Sequence, residues 1–95
     1  MAAKQQRTST VEAWWEREAH QQTITNELPI PPRRAQIDAP EPIPVIARIE
    51  WAHDGEEQLD TKAIAWTSQA VLVLISDRRR RTIGAWLPPG DVARR

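Results

Sequence analysis

The chain predicts a mainly β protein: a small barrel of five antiparallel strands, preceded by an amphipathic helix on a proline-rich linker. Three observations carry this expectation. Six of the eight prolines lie between Pro29 and Pro44 and separate a polar N-terminal part from the remainder. Residues 45–95 hold the Val/Ile/Leu-rich runs, which recur roughly every ten residues with turn residues between them. Within those runs apolar and polar side chains alternate with a period of two, as in a half-buried strand. The chain has 95 residues, and a foldable stretch of about 50 of them supports one modest core. That size excludes a two-domain enzyme, a Rossmann unit and a barrel of parallel strands. The expected organisation is residues 1–27 as arm and helix, 28–43 as extended linker and 44–95 as barrel.

Each element follows from local chemistry. Ser9 and Glu12 form a capping-box pattern, and Val11, Trp14, Trp15 and Ala19 then fall at the spacing of one helical face. The helix is expected from about Thr10 to Gln22, with Asn26 a plausible terminator; a helix of roughly thirteen residues needs a surface to pack on. From Leu28 to Pro44 the prolines remove donors and fix φ, so the segment reads as an extended spacer, or as a strap if Leu28, Ile30, Ile37 and Ile43 find a surface. Val45, Ala47, Ile49 and Trp51 alternate with Arg48, Glu50 and Ala52 as a first strand. His53-Asp54-Gly55 begins a turn in which Gly55 can take positive φ. Residues 59–66 read as a second strand, with Ala63 and Ala65 on one face and Ile64 and Trp66 on the other. Residues 70–76 are apolar on both faces and read as the most central strand. The charged residues 77–81 make a turn, residues 82–87 a fourth strand, residues 88–91 a tight turn and residues 92–94 a short fifth strand.

The stretch Gly84-Ala85-Trp86-Leu87-Pro88-Pro89-Gly90-Asp91-Val92 runs as strand, Gly-x-aromatic-aliphatic-Pro, tight turn and final Val. In this, residues 44–95 resemble the Src-homology-3-like small β-barrels. The resemblance implies a strongly twisted five-strand barrel. It does not extend to binding of proline-rich peptides, because the Ala-Leu-Tyr-Asp-Tyr opening and every groove tyrosine of the peptide-binding type are missing. The Arg/Ala/Trp-rich style is also similar to that of short proteins of high-GC bacteria and their phages.

Composition narrows the function classes. The chain has no Cys, so a disulfide framework, a thiolate zinc site and a catalytic thiol are all excluded. The longest apolar run, residues 70–75, is far too short for a membrane span, and the N-terminus has no apolar signal region. A cytoplasmic protein is the expectation. Thirteen basic groups balance thirteen acidic ones, so no global field draws the protein to nucleic acid. Two local patches stand out: Arg78, Arg79, Arg80 and Arg81 against Asp54, Glu56, Glu57 and Asp60, which read as opposed poles.

No catalytic constellation is visible, so the chain is not expected to be an enzyme, to take a cofactor or to bind a small-molecule substrate. His20 and His53 have no metal-ligand spacing and read as surface residues, and the acidic cluster lacks the calcium-loop pattern. Two readings of function remain. In the first, the protein is a non-enzymatic binding module or accessory subunit that engages a larger protein assembly through Val11, Trp14 and Trp15 and the barrel surface, since Trp is enriched at interface hot spots. The same indoles would alternatively pack on the protein's own barrel. In the second, Arg78, Arg79, Arg80 and Arg81 contact nucleic-acid phosphates, with Trp66 or Trp86 stacking on a base. The competing interpretation of the arginine run is a solvated hairpin tip.

Overall fold

The computed structural model describes residues 21–95. Five strands form one antiparallel sheet: β1 Ile37–Trp51, β2 Gly55–Trp66, β3 Val71–Leu74, β4 Gly84–Leu87 and β5 Val92–Arg94, in the order β4-β3-β2-β1-β5. Single 3-10 turns occur at Arg33–Ala35 and Pro89–Asp91. The described residues contain no α-helix; the expected helix with Val11, Trp14 and Trp15 lies outside them except for its last two residues, Gln21 and Gln22, which are not helical.

The mainly β class and the five strands agree with the expectation, but the sheet is not closed. Its edge strands, β4 and β5, do not pair with each other. They have only four and three residues, which leaves little ladder to join. Residues 22–28 span the seam instead. Ile24 bridges antiparallel to Trp51 of β1, flanked by hydrogen bonds from Thr25 N to Glu50 O and from Ala52 N to Thr23 O. Four residues later Leu28 N donates to Trp86 O on β4 at 2.8 Å. Asn26 acts like a strand residue through its side chain: Nδ2 donates to Arg48 O at 2.9 Å and Oδ1 accepts from Glu50 N at 3.0 Å. Read from sequence as a helix terminator, Asn26 ties this strap to β1.

The main core is aliphatic with one indole. Ile24, Val45, Ala47, Ile49, Trp51, Ala63, Val73, Ile75, Ala85 and Leu87 are buried together on one face of the curled sheet. Alternation places Val45, Ala47, Ile49 and Trp51 inward along β1, as the sequence predicts. On the opposite face Ala65, Ala70 and Trp86 form a second, smaller cluster that Leu28 and Leu72 cover. That cluster explains why residues 70–75 are apolar on both faces. They do not form the central strand: β3 lies next to the edge, β2 is central, and β3's second face is covered by the strap and Trp86 rather than by more sheet.

Three further features differ from the sequence reading. β1 begins at Ile37, inside the stretch read as linker, and its first half pairs Ile37 with Trp66 and Asp38 with Ala65. Prolines are tolerated there because the outer edge of β1 meets β5 only at Val45–Ala47, so the missing N–H groups break no ladder. The register shift between Asp38 and Ile43 lets the Pro40–Pro42 stretch arch away from the sheet. β2 begins at Gly55 rather than near Leu59, since the turn is tight: Gly55 takes φ +79° and the acidic residues after it pair directly back onto β1. Finally, a bulge between Ala63 and Ala65 reverses the alternation, so Ala63 belongs to the main core and Ala65 to the second cluster. A pattern of strict period two cannot reveal such a shift.

Candidate functional site

The arginine run lies in the loop between β3 and β4, and the fold uses two of its members. Asp77 starts a side-chain-stabilised turn in which its Oδ1 accepts from Arg79 N at 2.8 Å, a conformation that short acidic side chains favour. This turn lays the Arg79 guanidinium on the buried Trp51 ring, 3.9 Å from its centroid. The same guanidinium reaches Asp77 at 2.8 Å, Glu57 at 2.9 Å and Asp54 at 3.1 Å. Trp51 Nε1 in turn donates to Glu57 Oε1 at 3.0 Å. The acidic and basic patches that read as opposed poles are therefore two sides of one ion-pair cluster. Hydrogen bonding to Arg79 holds the Asp77 carboxyl down at about 2, and it outweighs the opposing effect of burial. The bond from Gln22, then that from Arg79, lowers Asp54 as well. Its carboxylate neighbours raise the Arg79 pKa further above its ordinary value, Asp77 foremost.

Arg80 is equally committed. Its fork grips both oxygens of Glu27 at 3.0 and 2.9 Å, and Nη2 also donates to Gly84 O at 2.8 Å. The side chains of Arg79 and Arg80 are only 16% and 11% exposed. Arg78 is exposed, and Arg81 is exposed with an interaction of its own. Gln22, Asp54, Ser76, Asp77, Arg78 and Arg79 together line a polar depression of about 510 Å3. The loop is thus neither a solvated hairpin tip nor a row of four outward forks. Trp86 is buried in the second cluster, and Trp66 is directed elsewhere.

Trp66 lines an apolar groove of about 240 Å3 with Ile43, Val45, Ala63, Val71, Val92 and Arg94. Strands β1, β2, β3 and β5 contribute to it. Sequence reasoning missed this surface. Val92 and Arg94 are two residues apart on one strand, hence on one face, which was the available signal. The bulge that turns Trp66 toward Ala63 left no trace in the pattern. His53 sits exposed in the β1–β2 turn, as expected of a surface residue, while His20, Val11, Trp14 and Trp15 lie outside the described residues. Among the described residues no group of three or more His, Asp or Glu side chains stands together to hold a metal, and no helix is long and apolar enough to cross a membrane.

Comparisons with protein-family models, curated proteins and solved structures find no match for this chain. Its class is that of a small, mainly β protein with one open five-stranded sheet, and function is argued from its residues alone.

Proposed function

We propose that the protein is a non-enzymatic binding module or accessory subunit that joins a larger protein assembly, with Trp14 and Trp15 as anchors and the sheet surface as a second contact. The single observation that carries this reading is the apolar groove beside Trp66, a concave surface suited to an apolar side chain. The commitment of Arg79 and Arg80 to internal carboxylates supports it too, since neither guanidinium is left to contact phosphates. We place the fold with the Src-homology-3-like small barrels. The strand order β4-β3-β2-β1-β5 and the 3-10 turn between β4 and β5 support that placement.

The alternative, phosphate contact through the arginine loop, draws on the exposed Arg78 beside the polar depression. Salt separates the two readings. Phosphate contacts make log K fall steeply with log salt, whereas an indole-anchored apolar interface is nearly indifferent to it. The test is capture of partners by the immobilised full chain from nuclease-treated lysate of its source, at low and high salt. Capture that survives nuclease and salt, and is lost in the Trp14→Ala, Trp15→Ala double variant, is the expected result. Nuclease-sensitive capture that disappears in Arg78→Gln overturns it in favour of nucleic acid. Changing all four arginines is a poor probe, because Arg79 and Arg80 hold the loop together.

A further inference from the structure

Leu28 enters the second cluster, but the stretch that follows it, Pro29-Ile30-Pro31-Pro32-Arg33-Arg34, belongs to neither cluster and to no strand. Its chemistry fixes its backbone. Pro29, Pro31 and Pro32 set their own φ, and a residue before a proline is driven from the helical region to extended backbone, which adds Leu28 and Ile30. Pro32 shows the outcome, with φ −56° and ψ 140°, in the polyproline-II region. That helix turns once in about three residues, so Pro29 and Pro32 share one ridge roughly 9 Å apart. Both are exposed, as is Ile30 between them at 79%. The hydrogen bonds of the stretch close locally: Pro32 O accepts from Ala35 N and Pro31 O from Gln36 Nε2, each at 2.9 Å. The body grips it at its start, where Leu28 N donates to Trp86 O.

A cation completes the pattern. Arg33 is engaged, with Asp38 at 2.9 Å and Gln36 at 3.1 Å. Arg34 is exposed and has no ion pair or hydrogen bond among the described residues. The surface therefore presents Pro-x-x-Pro-x-Arg over residues 29–34, with its proline ridge already in the binding conformation. A ridge this restricted loses little entropy when it docks, and aromatic-lined grooves take it through the proline rings. The free guanidinium favours a groove with a carboxylate at its end. We infer that residues 29–34 are a polyproline-II ligand for a partner protein whose groove holds Pro29 and Pro32 between aromatic side chains and meets Arg34 with an acid. A second copy of this chain does not fit that description. The one charged residue lining its groove beside Trp66 is Arg94, which repels Arg34. The contact is separate from Trp14 and Trp15, so it adds a site to the proposed function without resting on it.

The test is calorimetric titration of the full chain into a purified Src-homology-3 domain of the peptide-binding type, whose groove has aromatic walls and flanking acids. Thermal melting of each variant accompanies it. The unmodified chain is expected to bind saturably. The Pro29→Ala, Pro32→Ala double variant is expected to lose binding at unchanged Tm. Arg34→Glu is expected to weaken binding about tenfold, since it sets like charges against each other. That exposed change decides the matter on its own if the proline variant fails to fold. The Trp14→Ala, Trp15→Ala double variant is expected to bind as the unmodified chain does. A full chain that does not bind overturns the inference, even where a free peptide of residues 28–34 binds, because the folded protein then withholds the ridge. Undiminished binding by Arg34→Glu overturns it too, as does loss of binding in the tryptophan variant, which moves the contact to the indoles. If the domain is not bound while capture of a partner through Trp14 and Trp15 persists, this inference falls and the proposed function stands.

Discussion

Arg79 is the residue on which one end of the molecule depends. It joins three carboxylates from two hairpins and covers the Trp51 ring, with little of its side chain exposed. Compare Arg33 and Asp38, a bidentate pair whose side chains are 72% and 59% exposed. A pair that open is screened by solvent and adds little, so Arg33→Ala is expected to leave stability nearly unchanged. Arg79→Ala leaves Asp54, Glu57 and Asp77 facing one another and strips the indole, and it is expected to destabilise by about 2–3 kcal/mol in urea unfolding. Arg79→Lys is expected to recover less than half of that, because a point charge cannot serve three carboxylates and a ring face together. Asp77 supplies a pH prediction. Its pKa is depressed to about 2 from 3.8, so its contribution is fully present above about pH 4 and is lost as pH falls through about 2. The shift corresponds to about 2 kcal/mol. Unfolding curves between pH 5 and pH 2 should show Asp77→Asn losing about that much less stability than the unmodified chain over the same interval.

At the scale of elements, the strap of residues 22–28 does the work of a missing strand pair. It contributes one side chain to each cluster: Ile24 to the main core and Leu28 to the second. Its polar residues are matched to β1 and its partners one by one. Thr25 Oγ1 donates to Glu50 Oε1 at 2.6 Å, and Asn26 Nδ2 donates to Asp91 Oδ2 at 3.1 Å. Arg48 then ties the outer face together by reaching Glu50, Glu56 and Asp91. Bonding from Thr25, and after it from Arg48, lowers the Glu50 pKa. A strap held only by surface ion pairs would fray. A strap held by a buried isoleucine should not. Ile24→Ala is expected to cost about 2–4 kcal/mol, the range for deleting a buried Ile side chain. Amide exchange should locate the effect, with Thr25 and Leu28 losing protection earlier than the β1–β2 ladder.

For the molecule as a whole, the seam between β4 and β5 decides how much chain the fold requires. The strand pattern alone suggests that residues 44–95 suffice. Ile24 and Leu28 lie in the two clusters, and the first half of β1 pairs with the end of β2. A chain that starts at residue 44 is therefore expected to melt well below the full chain or to fail to fold cooperatively. Equal melting temperatures would show the strap to be dispensable. Outside the strands two large apolar residues stay exposed, Ile30 at 79% and Ile83 at 62%. The prolines at 40, 42 and 44 remove donors from the open edge of β1, which discourages edge-to-edge pairing with another sheet.

Local chemistry by itself determined the β class, the inward set Val45, Ala47, Ile49 and Trp51, the positive φ at Gly55 and the short fifth strand. Each depends on residues within a few positions, where side-chain alternation and turn preference act. The tertiary structure decided the rest, because the deciding contacts join residues far apart in the chain. Glu27 meets Arg80 across 53 positions and Asp54 meets Arg79 across 25, and those pairings turn a run of four arginines into a cluster that supports the fold. Trp66 and Arg94 likewise share a groove only because β2 and β5 flank the same strand. Alternation states which way a side chain points along its own strand. Which edge receives the strap, which carboxylate receives an arginine and which strands border an opening depend on long-range packing, and no local period encodes them.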